Sequence, residues 1–523
     1  MFFEALVNSV PLGEAGSPGI RVAAFIFALL GSALLIWRFL KFTVLPAMRP
    51  NLPKEYPYWI PVIGHLRGFV KNSQGLLTQA RLYFGNTREP FSVTMGGQTF
   101  YIVSRPDDVK AIFRNTTSFT FEIFAREILH DLGCTPGSII SMYGTMEDEL
   151  KGDKNREKTT ARRAREFHIH QMFPGNLLND IGADFAHYYE KTMSIEHLVT
   201  GTKYATQIAP DAVNVSLFTF FSEIFTNAAQ DAYFGQVLRK KYPHMAWTLL
   251  EFDDLAWQVL FKYPSFLSRK MLNARDRVFD ALEDYFASPE GARTDTVWFT
   301  RALEKEMRDA GLTNRDIAIM VMTIYWGVAT NTRKAGFWLM SYLLFNDELK
   351  AVICNEIAPA FKSGEVDQEY IVNDCPRFRG AWDETLRMTA FSSSVRYITR
   401  DTVVGNKLLQ KGYRIMMPYR QMHLNESVFG DRVEEFASER FVKNPEMRRA
   451  NMAFGGGATM CPGRHLATQT IMVFVAMLLH KFDVTLDPPN QPFPQVDESI
   501  PVLGIIDMKR THDIQLKLKV RGE

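Results

Sequence analysis

The sequence predicts a mainly α-helical protein with a smaller β-rich region (α+β), preceded by one N-terminal transmembrane helix. Three features support this fold class: an uncharged apolar run near the N-terminus, long segments in which apolar residues recur at helical spacing, and short β-prone runs with glycine turns. The chain has 523 residues, of which 46% are hydrophobic and 13% aromatic. This composition supplies enough apolar side chains for one large globular domain.

The apolar run covers residues 22–37, which carry no charge. As a helix this run spans about 24 Å, and the next few apolar residues extend it towards the roughly 30 Å hydrocarbon thickness of a membrane. We therefore predict a transmembrane anchor over residues 21–42 and a short non-cytosolic segment over residues 1–20. A cleaved signal peptide is the alternative, but basic residues would precede its apolar run, whereas Glu4 and Glu14 precede this one with only Arg21 adjacent.

The residues after the anchor indicate its orientation. Four basic side chains follow the uncharged apolar run closely, and the positive-inside rule then places the rest of the chain in the cytosol. They are Arg38, Lys41, Arg49 and Lys54. Several prolines in residues 43–64 stiffen the backbone and predict a hinge, followed by a single domain over residues 65–523. The four cysteines are isolated from one another, as is typical of a reducing compartment.

The overall charge is nearly balanced. Sixty basic and 58 acidic residues give a formal net charge of +2. This balance provides no general attraction to nucleic acid, so we expect no nucleic-acid partner.

Two short regions favour β-strands. Residues 91–103 contain two β-prone runs separated by Gly96 and Gly97, which predicts a hairpin. A second pair of strands is expected around residues 397–415. Together they form the smaller β-rich part of the fold.

Helical spacing is found in residues 261–286 and 298–306, and the longest predicted helix runs from Thr313 to about Phe345. Thr313 and Asp316 have the spacing of a capping box at its start. Residues 317–332 are uncharged on every side, which predicts a helix buried inside the protein. A second membrane span is the competing interpretation, but the run is short and is interrupted by polar residues.

The strongest chemical motif is the segment FGGGATMCPG at residues 454–463. Its glycines allow close approach to a flat ligand, and Cys461 projects at its end. A helix beginning after Pro462 would place its N-terminus near the sulfur and lower the pKa of the thiol. A thiolate ligand to haem iron fits these features. A phosphate-binding loop does not fit, because no G-K-[ST] follows, whereas an ordinary turn with a buried cysteine stays open on local grounds.

Four residues of this segment resemble the F-x-x-G-x-x-x-C-x-G signature of the cytochromes P450: Phe454, Gly457, Cys461 and Gly463. The resemblance implies the cytochrome P450 fold and a haem b cofactor, with Cys461 as the metal ligand and the other three residues around the cofactor. Thr459 stands where the family often has a basic residue that holds a haem propionate.

Other motifs support the resemblance. Glu384 and Arg387 match the family's E-x-x-R, and Arg440 matches the arginine that completes a structural Glu-Arg-Arg cluster. Their spacing alone would indicate only a surface ion pair. The resemblance also implies that Arg396 and His423 are donors to a haem propionate.

The long helix is expected to cross the distal face of the haem. In most of the family it carries an acid and a threonine that relay protons, whereas here Thr330 and Asn331 occupy those positions and Thr332 follows. These three residues are the catalytic candidates. Asn331 together with Phe337 and its neighbouring tryptophan resembles the branch that contains sterol 7α-hydroxylases, sterol 12α-hydroxylases and prostacyclin synthase.

The resemblance implies a monooxygenase that inserts one oxygen atom of O2 into a hydrophobic small molecule. A sterol, terpenoid or other polycyclic metabolite is expected, including those of secondary metabolism. Because the chain has no dinucleotide fingerprint, electrons must come from NADPH through a separate NADPH-cytochrome P450 reductase. The expected location is the endoplasmic reticulum membrane, with a single pass and a cytosolic catalytic domain.

Six apolar residues are candidates for substrate contacts, although core packing would explain any one of them equally well. They are Phe119, Phe121, Phe124, Ile324, Val328 and Leu503. Two other functions stay open. A haem-thiolate isomerase or dehydratase would rearrange a peroxide or other oxygenated substrate without a reductase, and a haem sensor would bind the cofactor without catalysis.

Overall fold

The computed structural model describes residues 18–147, 159–202, 204–362 and 364–522. The predicted N-terminal segment therefore lies largely outside the described residues. The anchor begins as a helix at Pro18–Phe39 and continues without a break through a π-helical turn at Leu40–Val44 and a last helical turn at Leu45–Met48. Helical structure thus extends past the predicted end of the anchor at residue 42. By length and composition Val22–Met48 could cross a membrane, and its most apolar window has no buried residues.

The C-terminal end of the anchor contacts residues in the second half of the predicted hinge. Lys41 lies 3.1 Å from a carboxylate oxygen of Glu55, and the Arg38 guanidinium stacks on Trp59 with 4.1 Å to the ring centroid. The Trp37 and Tyr58 rings are also in contact. These contacts hold the residues after the anchor against its C-terminal end.

Helices form most of the chain, which confirms the predicted fold class. The first twelve are α1 (Pro18–Phe39), α2 (Leu45–Met48), α3 (Leu66–Lys71), α4 (Ser73–Tyr83), α5 (Pro106–Arg114), α6 (Glu122–Leu132), α7 (Pro136–Tyr143), α8 (Thr160–Met172), α9 (Asn176–Thr192), α10 (Ile195–Gly201), α11 (Leu217–Phe234) and α12 (Gln236–Lys241). The others are α13 (Met245–Asp253), α14 (Trp257–Leu260), α15 (Arg269–Ala287), α16 (Trp298–Asp309), α17 (Asn314–Leu344), α18 (Asp347–Ile357), α19 (Gln368–Asn373), α20 (Pro376–Thr389), α21 (Tyr419–His423), α22 (Glu426–Phe429), α23 (Glu439–Lys443) and α24 (Arg464–Lys481).

The strands form three small sheets. They are β1 (Lys54–Glu55), β2 (Phe91–Met95), β3 (Gln98–Ile102), β4 (Phe119–Thr120), β5 (Ala205–Ala209), β6 (Ala212–Ser216), β7 (Ser393–Ile398), β8 (Thr402–Val404), β9 (Lys407–Leu409), β10 (Arg414–Pro418), β11 (Phe482–Leu486) and β12 (Gln515–Val520). The largest sheet has the order β1-β2-β3-β10-β7-β4, the second has the order β11-β12-β6-β5, and β8 pairs with β9. The predicted hairpin is confirmed as β2 and β3, and the second predicted pair as β7 and β10, both antiparallel.

The predicted helix from Thr313 is confirmed as α17, which Thr313 caps by accepting a hydrogen bond from the Asp316 amide. It is buried over most of its length, as expected for a helix inside the protein. The prediction of helical structure for residues 261–286 is wrong in its first part, because the helix α15 begins only at Arg269. Pro264 precedes a short 3-10 turn at Ser265–Leu267 that interrupts the helical path.

The Asp316 carboxylate does more than the predicted capping box requires. It accepts hydrogen bonds from the Thr135 amide at 2.9 Å and from the Ser138 hydroxyl at 2.9 Å. The Thr313 hydroxyl and the Cys134 thiol also donate to it. Because Cys134, Thr135 and Ser138 lie at the start of α7, Asp316 fastens α7 to the first turn of the long helix.

The long helix α17 packs tightly against α11 at Gly336. A Cβ atom at this position would lie 2.8 Å from the Phe221 ring and 3.2 Å from Phe225. Both rings are buried in the main core, so they have little room to move. Gly336 therefore sets the spacing of the two helices.

We expect Gly336→Ala to lower the free energy of unfolding by about 1–3 kcal/mol, because the added methyl overpacks this contact. Gly327→Ala, on the same helix, is the matched control, since a Cβ there meets nothing within 4 Å. Alanine should stabilise the helix at position 327 by up to about 1 kcal/mol. Urea unfolding of both variants tests the difference, and equal midpoints would contradict the assigned role of Gly336.

Candidate active site

The segment with Cys461 is a tight loop between the 3-10 turn Gly457–Thr459 and α24. The Cys461 amide donates to the Phe454 carbonyl at 2.8 Å, and the Gly455 amide donates to the Met452 carbonyl at 2.8 Å. Gly463 is the N-cap residue of α24, so this helix begins directly after the cysteine, as predicted.

Two of the loop glycines are required by its packing. Gly457 has a φ of +60°, and a Cβ there would lie 2.8 Å from the Phe113 Cβ. A Cβ on Gly456 would lie 2.7 Å from the Phe113 ring. The role of Gly457 is thus to let the loop pack on α5, and it is not among the residues that line the cavity described next.

A cavity of about 480 Å³ lies between this loop, the long helix α17 and strand β7. Eleven of the predicted site residues line it: Phe121, Phe124, Ile324, Val328, Asn331, Thr332, Arg396, Phe454, Cys461, Gly463 and Leu503. We call this space the central cavity. The structure therefore brings most of the sequence-predicted residues together, although they come from distant parts of the chain.

Cys461 is exposed and lines the central cavity. Burial raises the pKa of the Cys461 thiol, while the Gly463 amide and the Arg464 charge act in the opposite direction. The sequence predicts a lowered pKa for this thiol, but the protein groups alone raise it. A coordinated metal cation would reverse this balance, because a thiol that binds a metal is deprotonated.

Arg396 is a buried cation on the wall of the central cavity. Its side chain lies between the rings of Phe113 and Phe121, with 5.3 and 5.4 Å to the centroids, and donates to the Thr459 hydroxyl and the Val395 carbonyl. Burial lowers the pKa of Arg396 to about 10. Among the described residues, no carboxylate lies within 4 Å of this guanidinium. A buried charge of this kind requires an anion, so Arg396 is suited to a carboxylate of a bound ligand.

Two hydroxyl groups beside Arg396 were not found from the sequence. The Ser394 hydroxyl and the Tyr419 hydroxyl are 2.7 Å apart, and both line the central cavity close to Gly455. Ser394 precedes Arg396 by two residues on β7, so strand periodicity alone could have placed them on one face. Tyr419 follows β10, and only the register of the sheet brings it here.

The predicted Glu-Arg-Arg cluster is present and lies outside the central cavity. Arg387 donates to both carboxylate oxygens of Glu384 at 2.8 Å, and the side chains of both residues are fully buried. Arg440 lies 3.4 Å from the same carboxylate and donates to the Phe429 carbonyl. Arg387 also donates to the Val433 carbonyl at 2.7 Å, so the cluster fixes the irregular segment between α21 and α23.

His423 differs from its expected place at a haem propionate, because it is fully buried and does not line the central cavity. Its Nε2 accepts a hydrogen bond from the Met452 amide at 2.9 Å, and its carbonyl accepts one from Arg387 at 3.0 Å. Burial and the charges of Arg387 and Arg420 lower the pKa of His423 to about 3. His423 is thus a neutral link between the cluster and the residues that begin the Cys461 loop.

Two further predicted residues lie elsewhere. Phe119 is buried in β4, at the edge of the largest sheet, where it pairs with Ile398, and it does not line the central cavity. Thr330 also lies off the central cavity, because its position on α17 turns it away, and its hydroxyl donates to the Trp326 carbonyl at 2.8 Å. It lines a second cavity of about 570 Å³ that shares Phe121 and Asn331 with the central cavity.

The family of the chain follows from comparison with known proteins. A family profile described as Cytochrome P450 matches residues 53–509. The chain is a cytochrome P450. The P450 is 27% identical over 481 residues to "Cytochrome P450 monooxygenase poxD" of Penicillium oxalicum, which covers 89% of this chain and 93% of the relative. It is 22% identical over 513 residues to the human "7-alpha-hydroxycholest-4-en-3-one 12-alpha-hydroxylase", which covers 91% and 95% of the two chains.

Another fungal relative shows similarity over most of the P450. "Cytochrome P450 monooxygenase nodJ" of Hypoxylon pulicicidum is 23% identical over 469 residues, covering 84% of each chain. The predicted resemblance to the family and to its sterol 7α- and 12α-hydroxylase branch is therefore confirmed, and the P450 is an oxidoreductase of the monooxygenase class.

Membership of the family implies a haem whose iron is held by a cysteine thiolate, and the described residues fit this group. Cys461 supplies a thiol on the wall of an otherwise mainly apolar cavity. Arg396 supplies a buried cation that lacks a carboxylate partner among the described residues, as a propionate requires. Ser394, Tyr419 and Thr459 add hydroxyl groups beside it.

We expect Glu384→Gln to lower the free energy of unfolding by about 3–5 kcal/mol, because it removes the carboxylate from a buried ion pair. The matched control is Glu439→Gln, which breaks the exposed pair with Arg377 and should cost at most about 1 kcal/mol. Urea unfolding and the fraction of purified chain that retains haem measure the effect. Similar small losses in both variants would contradict the central role of Glu384.

The buried neutral state of His423 predicts a pH dependence of stability. Its folded pKa of about 3 lies below its ordinary value of 6.5, so between these two pH values the unfolded chain binds a proton that the folded chain does not. The free energy of unfolding therefore falls as the pH decreases from about 6.5 to about 3, by at most about 1.4 kcal/mol per pH unit from this group.

His423→Gln should reduce this slope, because the amide oxygen can still accept from the Met452 amide but cannot titrate. The comparison uses urea unfolding at several pH values in this interval. An unchanged slope would show that His423 is protonated in the folded protein.

Proposed function

We propose that the protein is a membrane-anchored monooxygenase that inserts one oxygen atom of O2 into a hydrophobic small molecule, with Cys461 as the residue that would hold the haem iron. The overall reaction consumes the substrate, O2, two electrons and two protons, and it yields the oxygenated product and water. The bound haem supplies the redox-active iron that activates O2. The observation that carries this proposal is the position of Cys461 and Asn331 on the wall of one cavity that also holds the buried Arg396.

The lining of the central cavity supports a hydrophobic substrate. Phe121, Phe124, Ile324, Val328 and Leu503 provide apolar surface. Among the described lining residues none is Asp or Glu. A ligand bound there would lose water without having to pair a carboxylate of the protein.

The substrate class that we propose is a sterol, a terpenoid or another polycyclic metabolite, including those of secondary metabolism. The name of the human relative gives a sterol ketone, 7-alpha-hydroxycholest-4-en-3-one, as the substrate of that enzyme. The central cavity and the second cavity share Phe121, Ile324 and Leu503, so together they offer room for an extended ring system.

Electrons are proposed to come from NADPH through a separate reductase. A third groove, of about 860 Å³, reaches the Cys461 loop at Met460 and Arg464. Arg379 and Arg448 also line it, but both pair with Asp383. Arg464 has no carboxylate within 4 Å among the described residues, so it is the arginine of this groove that suits contact with an acidic partner surface. We place the catalytic domain in the cytosol at the endoplasmic reticulum membrane, because the basic residues Arg38 and Lys41 follow the uncharged apolar run of the anchor.

A second candidate function is the rearrangement of a peroxide without a reductase. It stays a candidate because the branch that Asn331 resembles contains prostacyclin synthase as well as sterol hydroxylases, so this residue does not select between the two reactions. Turnover that requires NADPH, reductase and O2 supports the monooxygenase. Conversion of a peroxide in their absence supports the isomerase.

We expect the reduced protein with bound carbon monoxide to absorb near about 450 nm, as thiolate-bound haem does. Cys461→Ala should lose this band. Cys354→Ala is the control and should retain it, because Cys354 does not line the central cavity. A band that survives in Cys461→Ala would overturn the ligand assignment. Apolar compounds can then be screened for a low-spin to high-spin shift to identify the substrate.

A further inference from the structure

The hydroxyl groups on the face of α17 that borders the two cavities are already engaged. Thr323 donates to the Met320 carbonyl at 2.7 Å, Thr330 to the Trp326 carbonyl and Thr332 to the Val328 carbonyl at 2.7 Å. A hydroxyl has a single hydrogen, so none of the three can donate to a ligand while these bonds persist.

Asn331 is oriented by a backbone group of another segment. Its Oδ1 accepts a hydrogen bond from the Ile505 amide at 2.9 Å. Because a backbone amide only donates, the oxygen must face Ile505 and the Nδ2 group must face elsewhere. Nδ2 has no hydrogen bond among the described residues, and Asn331 lines both cavities.

The segment that orients Asn331 is itself held firmly. The amides of Phe391 and Ser392 donate to the Gly504 carbonyl at 3.1 and 3.2 Å, and the Ile506 amide donates to the Thr389 carbonyl at 2.9 Å. The position of the Ile505 amide is therefore set by the end of α20. It does not depend on a ligand.

Gly504 makes this arrangement possible. A Cβ at this position would collide with the Asn331 Oδ1 and would lie 2.7 Å from its Cγ. The amide of Asn331 thus occupies the space that a side chain at residue 504 would need. Residues 331 and 504 form a coupled pair.

We propose that Asn331 is a positioning residue whose Nδ2 group, held in place by the Ile505 amide and the missing side chain of Gly504, donates a hydrogen bond to an oxygen atom in the central cavity. The oxygen belongs to water or to the substrate. This inference rests on the proposed function, since it requires a haem in the central cavity. It makes Asn331 a fixed donor and not a group that exchanges protons.

The probe for this donor is carbon monoxide bound to the reduced protein, followed by its C–O stretching frequency in the infrared. A nearby donor polarises the ligand oxygen and lowers this frequency. Asn331→Asp keeps an acceptor for the Ile505 amide and nearly the same volume, but it removes both Nδ2 hydrogens. We expect a higher C–O frequency in this variant and in Gly504→Ala, which displaces the Asn331 amide.

Thr323→Val is the matched control on the same helix face. Its hydroxyl is already bonded to Met320, so its loss should leave the C–O frequency unchanged. The inference is overturned if Asn331→Asp retains the absorption band near about 450 nm but shows the C–O frequency of the wild type. If the wild type lacks that band, the proposed function fails instead, so the two failures are distinguishable.

The source of the oxygen is tested with decalin and its ketone decalone, a bicyclic pair that differs by one acceptor. If the substrate accepts the hydrogen bond from Asn331, Asn331→Asp should reduce the binding preference for decalone over decalin by about tenfold, the effect of one hydrogen bond. If water accepts this hydrogen bond, the binding preference stays unchanged in Asn331→Asp while the C–O frequency still rises. An unchanged preference together with an unchanged frequency contradicts both sources.

Discussion

Both carboxylate oxygens of Glu384 are occupied by the Arg387 guanidinium in a part of the protein that solvent does not reach. Arg387 has further hydrogens, and it donates them to the carbonyls of His423 and Val433. His423 then accepts from the Met452 amide, and the Met452 carbonyl accepts from Gly455 in the loop. One ion pair therefore determines the position of the Cys461 loop through a short series of hydrogen bonds.

The Glu384–Arg387 ion pair is suited to fixing the position of the loop because its energy is sensitive to geometry. A buried pair contributes little net stability when it is formed, whereas the loss of one partner leaves an uncompensated charge. In the irregular segment between α21 and α23, Phe429 and Val433 belong to a small apolar cluster with Phe441 of α23, separate from the main core. Fixed charges thus replace the packing that holds the rest of the fold.

Much of the fold and the site could be predicted from local sequence patterns. The capped start of α17, the hairpin around Gly96 and the helix after Cys461 each depend on neighbouring residues. His423 and Phe119 could not be placed in this way, because their surroundings are created by sheet register and by the segment that Arg387 fixes. Gly504 gave no local signal at all, since its importance arises from Asn331, far away in the sequence.

The contact between Asn331 and Gly504 also limits how the distal side can evolve. Replacing the asparagine alone leaves the Ile505 amide without its acceptor, and replacing the glycine alone creates a steric overlap. Each single step costs stability, whereas the double change opens space at residue 331 for a side chain at residue 504. Homologous P450s with a threonine at the position of Asn331 should therefore often carry a residue larger than glycine at the position of Gly504. These two columns of an alignment would covary.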